Sequence, residues 1–394
     1  MQGLWNPIRQ EDWAVTALEH IEKHEPFLIS GTGDSVQNHL IAAFSGFTER
    51  PAVVITANEM KAKEVYGELK FYFPKACWYF PAKDPLFYSA DVRGLAIEED
   101  RMKVFQALRQ QQAKVIVLSV EALYDRLIPK EIWESFILRK RIGDELPLET
   151  LIPRLAQMGY ERSEQVDSPG QFSVRGGIID IYPITEDTAY RLEMWGDEID
   201  SIRVLDTETQ RSAHRLEYIT VFPVSEIVVG DEQIEAGIER ITEQMKTGAA
   251  ALRKQELLEE AQRLEGITKN FLERLGQQRL RGLESYTPLF YEHTVSILDY
   301  VDPNAVLYLQ DPAHIMEKVR VLQDELGNSL EGRLKGYLLP GQGEMFPRFA
   351  EIEAQWEGFS RVYMCSLLGS NQNVFYIKDI LRVNSRSINV IQGD

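Results

Sequence analysis

The chain has almost no cysteine: two in 394 residues, Cys77 and Cys365. Two distant thiols in apolar surroundings exclude a disulfide-stapled framework and suit buried thiols in a reducing cytosol. Long hydrophobic runs are missing too. No stretch approaches eighteen apolar residues, so no spanning helix is expected, and residues 1–12 have no apolar core of a signal peptide. Positive charge is scarce: 43 Lys and Arg stand against 61 Asp and Glu, a net charge of −18. A protein that tracks duplex DNA needs clustered cations to displace counterions, and no long basic run exists. Such acidity points instead to solubility or to a basic partner surface. Histidine is rare, six in all. One spacing, His20-Ile21-Glu22-Lys23-His24, superficially resembles H-E-x-x-H, but the Glu falls one position late to act as base. With no third ligand, no metal site is expected, and both histidines read as surface residues of an N-terminal helix. No Ser/His/Asp or Cys/His arrangement stands out, so no catalytic residue is assigned. A cytoplasmic protein is expected.

What is present is a well-folding globular composition, 44% apolar and 26% charged, long enough for about two to three domains. Three textures follow one another. Residues 1–141 alternate β-branched runs (27–29, 52–56, 115–119) with helical periodicity (57–73, 94–112, 120–127), the pattern of a parallel sheet with helices on its faces. A loop rich in aromatics and prolines, 78–88, interrupts it. Residues 142–228 hold a helix, 147–158, and then short strands punctuated by turn signals at Gly176-Gly177 and Gly196-Asp197, a small antiparallel β domain. Residues 229–394 turn helical, with a helix pair over 230–283, then a strand at 305–309, a helix at 312–325 and a strand at 361–367. The expected fold is α/β, its parallel-sheet domain interrupted by a small antiparallel β (α+β) domain, with the second α/β part docking on the first. The polar tail, 385–394, suggests a piece of something longer.

Residues 25–42 run from an apolar strand through a glycine turn into a helix, the layout of a phosphate-binding loop. Laid on G-x-x-x-x-G-K-[ST], the fixed positions fall on Ser30, Ser35, Val36 and Gln37. None matches. Val36 replaces the lysine that reaches the β/γ-phosphates, Gln37 replaces the magnesium-binding hydroxyl, and Asp34, next to Gly33, sets a carboxylate where a polyanion would sit. At contact distance two such charges repel by several kcal/mol at moderate effective dielectric, on the order of 4. A strand–turn–helix with two glycines also occurs in proteins that never bound nucleotide. Either way no nucleotide cofactor is expected.

In the β domain, Arg191-Leu192-Glu193-Met194-Trp195 alternates as a strand does. Leu192 and Met194 take one face, the natural core face. Arg191, Glu193 and Trp195 take the other, with Arg175 at the mouth of the Gly-Gly turn. Trp and Arg dominate binding energy at protein interfaces. Such a Trp is exposed unless a helix, here 147–158, covers it.

The runs Pro169-Gly170-Gln171-Phe172-Ser173-Val174-Arg175-Gly176-Gly177-Ile178-Ile179-Asp180-Ile181-Tyr182-Pro183 and Arg191-Leu192-Glu193-Met194-Trp195-Gly196-Asp197-Glu198-Ile199-Asp200-Ser201-Ile202-Arg203 resemble the N-terminal UvrB-homology module of bacterial transcription-repair coupling factors. The resemblance implies a helicase-like (P-loop NTPase-like) scaffold whose nucleotide site is degenerate, unlike the true P-loop of UvrB. Leu307-Tyr308-Leu309-Gln310-Asp311-Pro312 stands where the motor family has an acidic magnesium box, and keeps only Asp311. The long aromatic DNA-clamping hairpin of UvrB has no room in 78–100. The resemblance further implies that the β domain binds UvrA through Arg175, Arg191 and Trp195, with Glu193 as a neighbour; relatives often carry Phe where Trp195 stands. It implies a non-catalytic adaptor whose parent is an ATP-dependent translocase. RNA polymerase and DNA would be met only through domains absent here, and other domains of the parent chain would mask the β domain. An ATP-dependent helicase or excinuclease component resembling UvrB is the alternative, and it would need a lysine at position 36.

Overall fold

Continuous β-branched runs, apolar on both faces, make strands buried in the middle of a parallel sheet. The computed structural model describes residues 2–83, 95–276, 283–367 and 375–383. In chain order its strands are β1 (Phe27–Ser30), β2 (Ala52–Thr56), β3 (Cys77–Phe80), β4 (Val115–Ser119), β5 (Leu138–Arg141), β6 (Glu161–Arg162), β7 (Gln171–Arg175), β8 (Ile178–Ile181), β9 (Ala189–Trp195), β10 (Glu198–Asp206), β11 (Arg211–Leu216), β12 (Tyr218–Val221), β13 (Val306–Gln310), β14 (Ser360–Cys365) and β15 (Asp379–Arg382).

Seven of them form one wholly parallel sheet in the order β15-β1-β14-β13-β2-β4-β3. β13 and β14 lie between β1 and β2, so the last third of the chain is woven into the sheet that the first third begins. The pleat sorts side chains by parity: Val53, Ile55 and Leu118 enter one apolar cluster, Val54, Val117 and Tyr308 the other. A second sheet, β11-β10-β9-β8-β7-β6, is antiparallel except for its short β6–β7 pair. A two-stranded ribbon, β5 with β12, stands at its entry and exit. The fold is α/β with a separate antiparallel sheet, as the textures predict.

Three local expectations need correction. The aromatic loop begins as strand β3, which the sheet recruits at its edge; Trp78 and Tyr79 are only half-buried there, so no alternation marks it. Residues 84–88 of that loop, like the tail 385–394, lie outside the described residues. The helix expected over 120–127 is a 3-10 turn, Val120–Tyr124. His20 is not a surface residue. Its ring stacks on Phe27, 5.3 Å between centroids, and lies between the Glu25 carboxylate at 2.9 Å and that of Asp379 at 3.2 Å. The helix ends at Glu22 and His24 turns to φ 55°, so the two histidines share no helical face.

Where the β domain rejoins the large sheet, four charges are buried together. Arg101, on the helix Leu95–Arg109, donates to both oxygens of Glu226 at 2.5 and 2.8 Å, to Asp125 at 2.7 Å and to the Pro81 carbonyl at 2.6 Å. Its guanidinium lies 3.9 Å from the centroid of Phe80, and Lys83 reaches Glu226 at 3.1 Å. Burial alone would raise the Glu226 pKa, but Arg101 and Lys83 pull it down to about 2.

Candidate protein-binding face

Two places in the fold answer to the sequence-predicted sites. The first is the end of the parallel sheet where ligands of open α/β sheets bind, outside the carboxyl ends of the strands. Three residues, Gly31, Thr32 and Gly33, connect β1 to the helix Asp34–Thr48. The Gly31 and Thr32 N–H groups point at the Cys365 carbonyl of β14, at 3.1 and 3.4 Å. Val383 covers the turn from above and donates its N–H to the Ser30 carbonyl at 2.9 Å. The Gln37 amide is buried and donates to the Thr32 carbonyl at 3.0 Å. Asp34 pairs with Lys61 at 2.5 Å. Nearby, the pKa of Asp311 is raised, first by burial and then by the charge of Asp34. Ser35 donates to Glu68 at 3.4 Å, and Val36 packs half-buried against the apolar cluster beneath.

Gly31 has φ +85°, and a Cβ there would stand 2.2 Å from the Val383 carbonyl oxygen. Left-handed backbone costs an L-residue about 1–2 kcal/mol before any clash. Gly31→Ala is therefore expected to destabilise the chain by roughly 1–3 kcal/mol, read as a lowered thermal midpoint. An unchanged midpoint would mean that Val383 does not close this turn.

The second place is the polar face of the six-stranded sheet. Leu192 is buried in the core together with Ile179 and Ile181, and the helix Leu148–Gln157 adds Leu151 and Leu155 to the same cluster. The opposite face carries the polar side chains together with a small buried cluster of Val166, Ala189 and Leu205, and Trp195 is 84% exposed at its hairpin end. Trp195 ends β9 one residue before Gly196, whose φ of +63° turns the hairpin. At that position nothing among the described residues stands over the indole. Exposure alone does not make a site, but Trp is among the residue types that most often anchor protein interfaces.

Arg175, Arg191 and Glu193 share the face, but the two arginines are not equally available. Arg191 donates twice to Asp180, at 2.6 and 2.8 Å, and once to the Gln210 carbonyl at 3.2 Å. Its side chain is only 12% exposed. The hydrogen bond it donates to Asp180 comes first among the causes that raise its pKa above the ordinary arginine value. Arg175 reaches the same carboxylate at 2.6 Å and stays 44% exposed. Asp180 itself is fully buried. Glu193 accepts from Ser201 at 2.6 Å. The fork of Arg191 is thus filled from within, and of the residues expected to bind a partner Arg175 and Trp195 are the more accessible. Sequence reasoning passed over Asp180. Its signal was a single carboxylate inside the apolar run Ile178-Ile179-Asp180-Ile181, directly opposite Arg191 once the strands are paired.

Comparison with known proteins converges on the same sheet. Residues 138–227 match the family described as the UvrB interaction domain. The chain is 31% identical over 300 residues to the transcription-repair-coupling factor of Bacillus subtilis (strain 168), covering 76% of this chain and 25% of that protein. The coupling factor of Staphylococcus haemolyticus is 25% identical over 374 residues, 92% of this chain and 31% of its own. UvrABC system protein B of Thermotoga neapolitana is 30% identical over 287 residues, 68% of this chain and 43% of its own. The chain thus spans under half the length of the curated relatives it matches. Among the described residues no helix is long and apolar enough to cross a membrane. Fold, motif and matches together make this chain a UvrB-homology module, built around a UvrB interaction domain and similar to transcription-repair-coupling factors.

Proposed function

We propose that this chain is the non-catalytic adaptor module of a transcription-repair coupling factor, recruiting the excision-repair protein UvrA through the polar face of its β domain. The observation that carries the reading is Trp195, exposed beside the half-exposed Arg175 on a sheet whose other face is core. An indole and an arginine fork supply the anchors that interfaces favour, and Arg suits a bidentate partner carboxylate. The three-part division at 1–141, 142–228 and 229–394 belongs to the same proposal. So do contact with RNA polymerase and DNA only through other domains of the parent, masking of this face by those domains, and a cytoplasmic location. Titration of purified UvrA into the chain, with and without ATP, is expected to give saturable binding; no binding under either condition overturns the proposal.

The adaptor reading also holds that the β1 turn binds no nucleotide. Phosphate loops work by presenting unpaired backbone N–H groups and a lysine to a polyanion. Here the Gly31 and Thr32 N–H groups face Cys365, Val36 is apolar, and Asp34 and Asp311 put negative charge at the same sheet end. Isothermal titration with Mg-ATP is expected to show no saturable heat, in this chain unmutated and after Val36→Lys alike. A micromolar dissociation constant for the unmutated chain would return it to the helicase or excinuclease class.

A further inference from the structure

The strand register of the β domain places arginines side by side. Ser173 pairs with Asp180, Asp180 with Arg191, Arg191 with Arg203, and Arg203 with Arg215. Residues directly opposite on neighbouring strands project from the same face, so this row crosses five strands on the face that carries Trp195. Its last three members are all cationic. Among the described residues Arg203 has one distant ion-pair contact, 4.0 Å to Glu193, which accepts from Ser201. Arg215 is exposed and reaches the Asp200 carbonyl at 3.5 Å; no carboxylate among the described residues pairs with it.

Like charges directly opposite in a sheet destabilise it, and a fold selected for stability alone would place acids or apolar residues there. On a chain of net charge −18 the row is a local reversal of sign. We infer that Arg203 and Arg215 extend the docking surface across the whole sheet, and that the partner presents an acidic protein surface to this end of it. The occupant is a protein and not a nucleic acid because the other end is acidic. Asp197, Glu198 and Asp200 are exposed around Trp195 and would repel a phosphate backbone, whereas a folded partner can match both signs. The row then sets the orientation in which the partner meets Trp195, since charge complementarity fixes register and speeds encounter.

This inference rests on the adaptor reading, and its test separates the two. Affinity for purified UvrA is measured for Arg203→Glu, Arg215→Glu and the double variant at low and high salt, with Trp195→Ala alongside and Arg203→Gln and Arg215→Gln as milder changes. Each reversal is expected to weaken binding roughly tenfold at low salt, with a smaller effect at high salt. Thermal stability should be unchanged or higher, because a like-charge contact is relieved. Full affinity in the double variant, with binding lost in Trp195→Ala, overturns the inference and leaves the reading intact. Full affinity in all variants, Trp195→Ala included, sinks both. Binding of a single-stranded oligonucleotide that the reversals abolish would assign the row to nucleic acid and overturn the inference as well.

Discussion

Trp195→Ala is expected to weaken UvrA binding by about 1–4 kcal/mol while leaving the fold untouched. An indole buries on the order of 200 Å² when fully covered, and at about 25 cal/mol per Å² this sets a ceiling near 5 kcal/mol. Ordering costs at the interface take back part of it. The fold is spared because the indole is 84% exposed in the free chain. Arg191→Ala should behave differently. It would weaken binding too, but it also strips the buried Asp180 of its bidentate partner and leaves only Arg175. A buried charge that loses a hydrogen-bond partner costs about 1–3 kcal/mol or more, so a loss of stability accompanies the loss of affinity. The two variants are separated by measuring affinity by titration and unfolding by urea on the same samples. If Trp195→Ala binds like the parent with unchanged circular dichroism, the assigned face is wrong.

The largest effect on the fold itself is expected at Arg101. Removing one member of a buried ionic cluster leaves its partners charged in a medium that cannot solvate them, at about 3–5 kcal/mol. Arg101→Ala would leave Asp125 with the Lys83 backbone N–H at 3.4 Å and Glu226 with the Lys83 ammonium. Glu226 follows the last strand of the β domain, whereas Arg101, Asp125 and Lys83 belong to the parallel-sheet part. The variant should therefore loosen the joint that aims the binding face, seen as a lower urea midpoint.

The same cluster sets a pH dependence. The folded-state pKa of Glu226, about 2, lies below the ordinary value of 4.5. A depressed carboxyl contributes stability that is fully present above its unfolded pKa and is lost as pH falls through the folded one. Stability should drop between about pH 4.5 and pH 2, and in Glu226→Gln that particular loss should be missing. Parallel acid profiles for the two chains would show that Glu226 is not held in its charged form.

The strands that carry the fold announced themselves where both faces are apolar. 52–56 and 115–119 are continuous Val/Ile runs in the middle of the sheet, and their burial follows from composition alone. Strands at sheet margins did not. β3, β5 and β15 are four residues each, with half-buried or charged positions, and only a neighbouring strand makes them strands. At the face, period-two alternation placed Arg191, Glu193 and Trp195 together and opposite Leu192, since parity along one strand is a local property.

Which arginine is free, by contrast, is a matter of pairing between strands. Asp180 sits eleven residues before Arg191, and Arg203 and Arg215 lie twelve and twenty-four after it. No reading along the chain places those four in one row. The absent lysine at position 36 was likewise plain in the sequence. That Cys365, more than three hundred residues away, receives the N–H groups of the Gly31 turn was decided only when β14 took its place beside β1. Local chemistry determined which groups the chain offers; hydrogen-bond register between distant strands decided which of them are already taken.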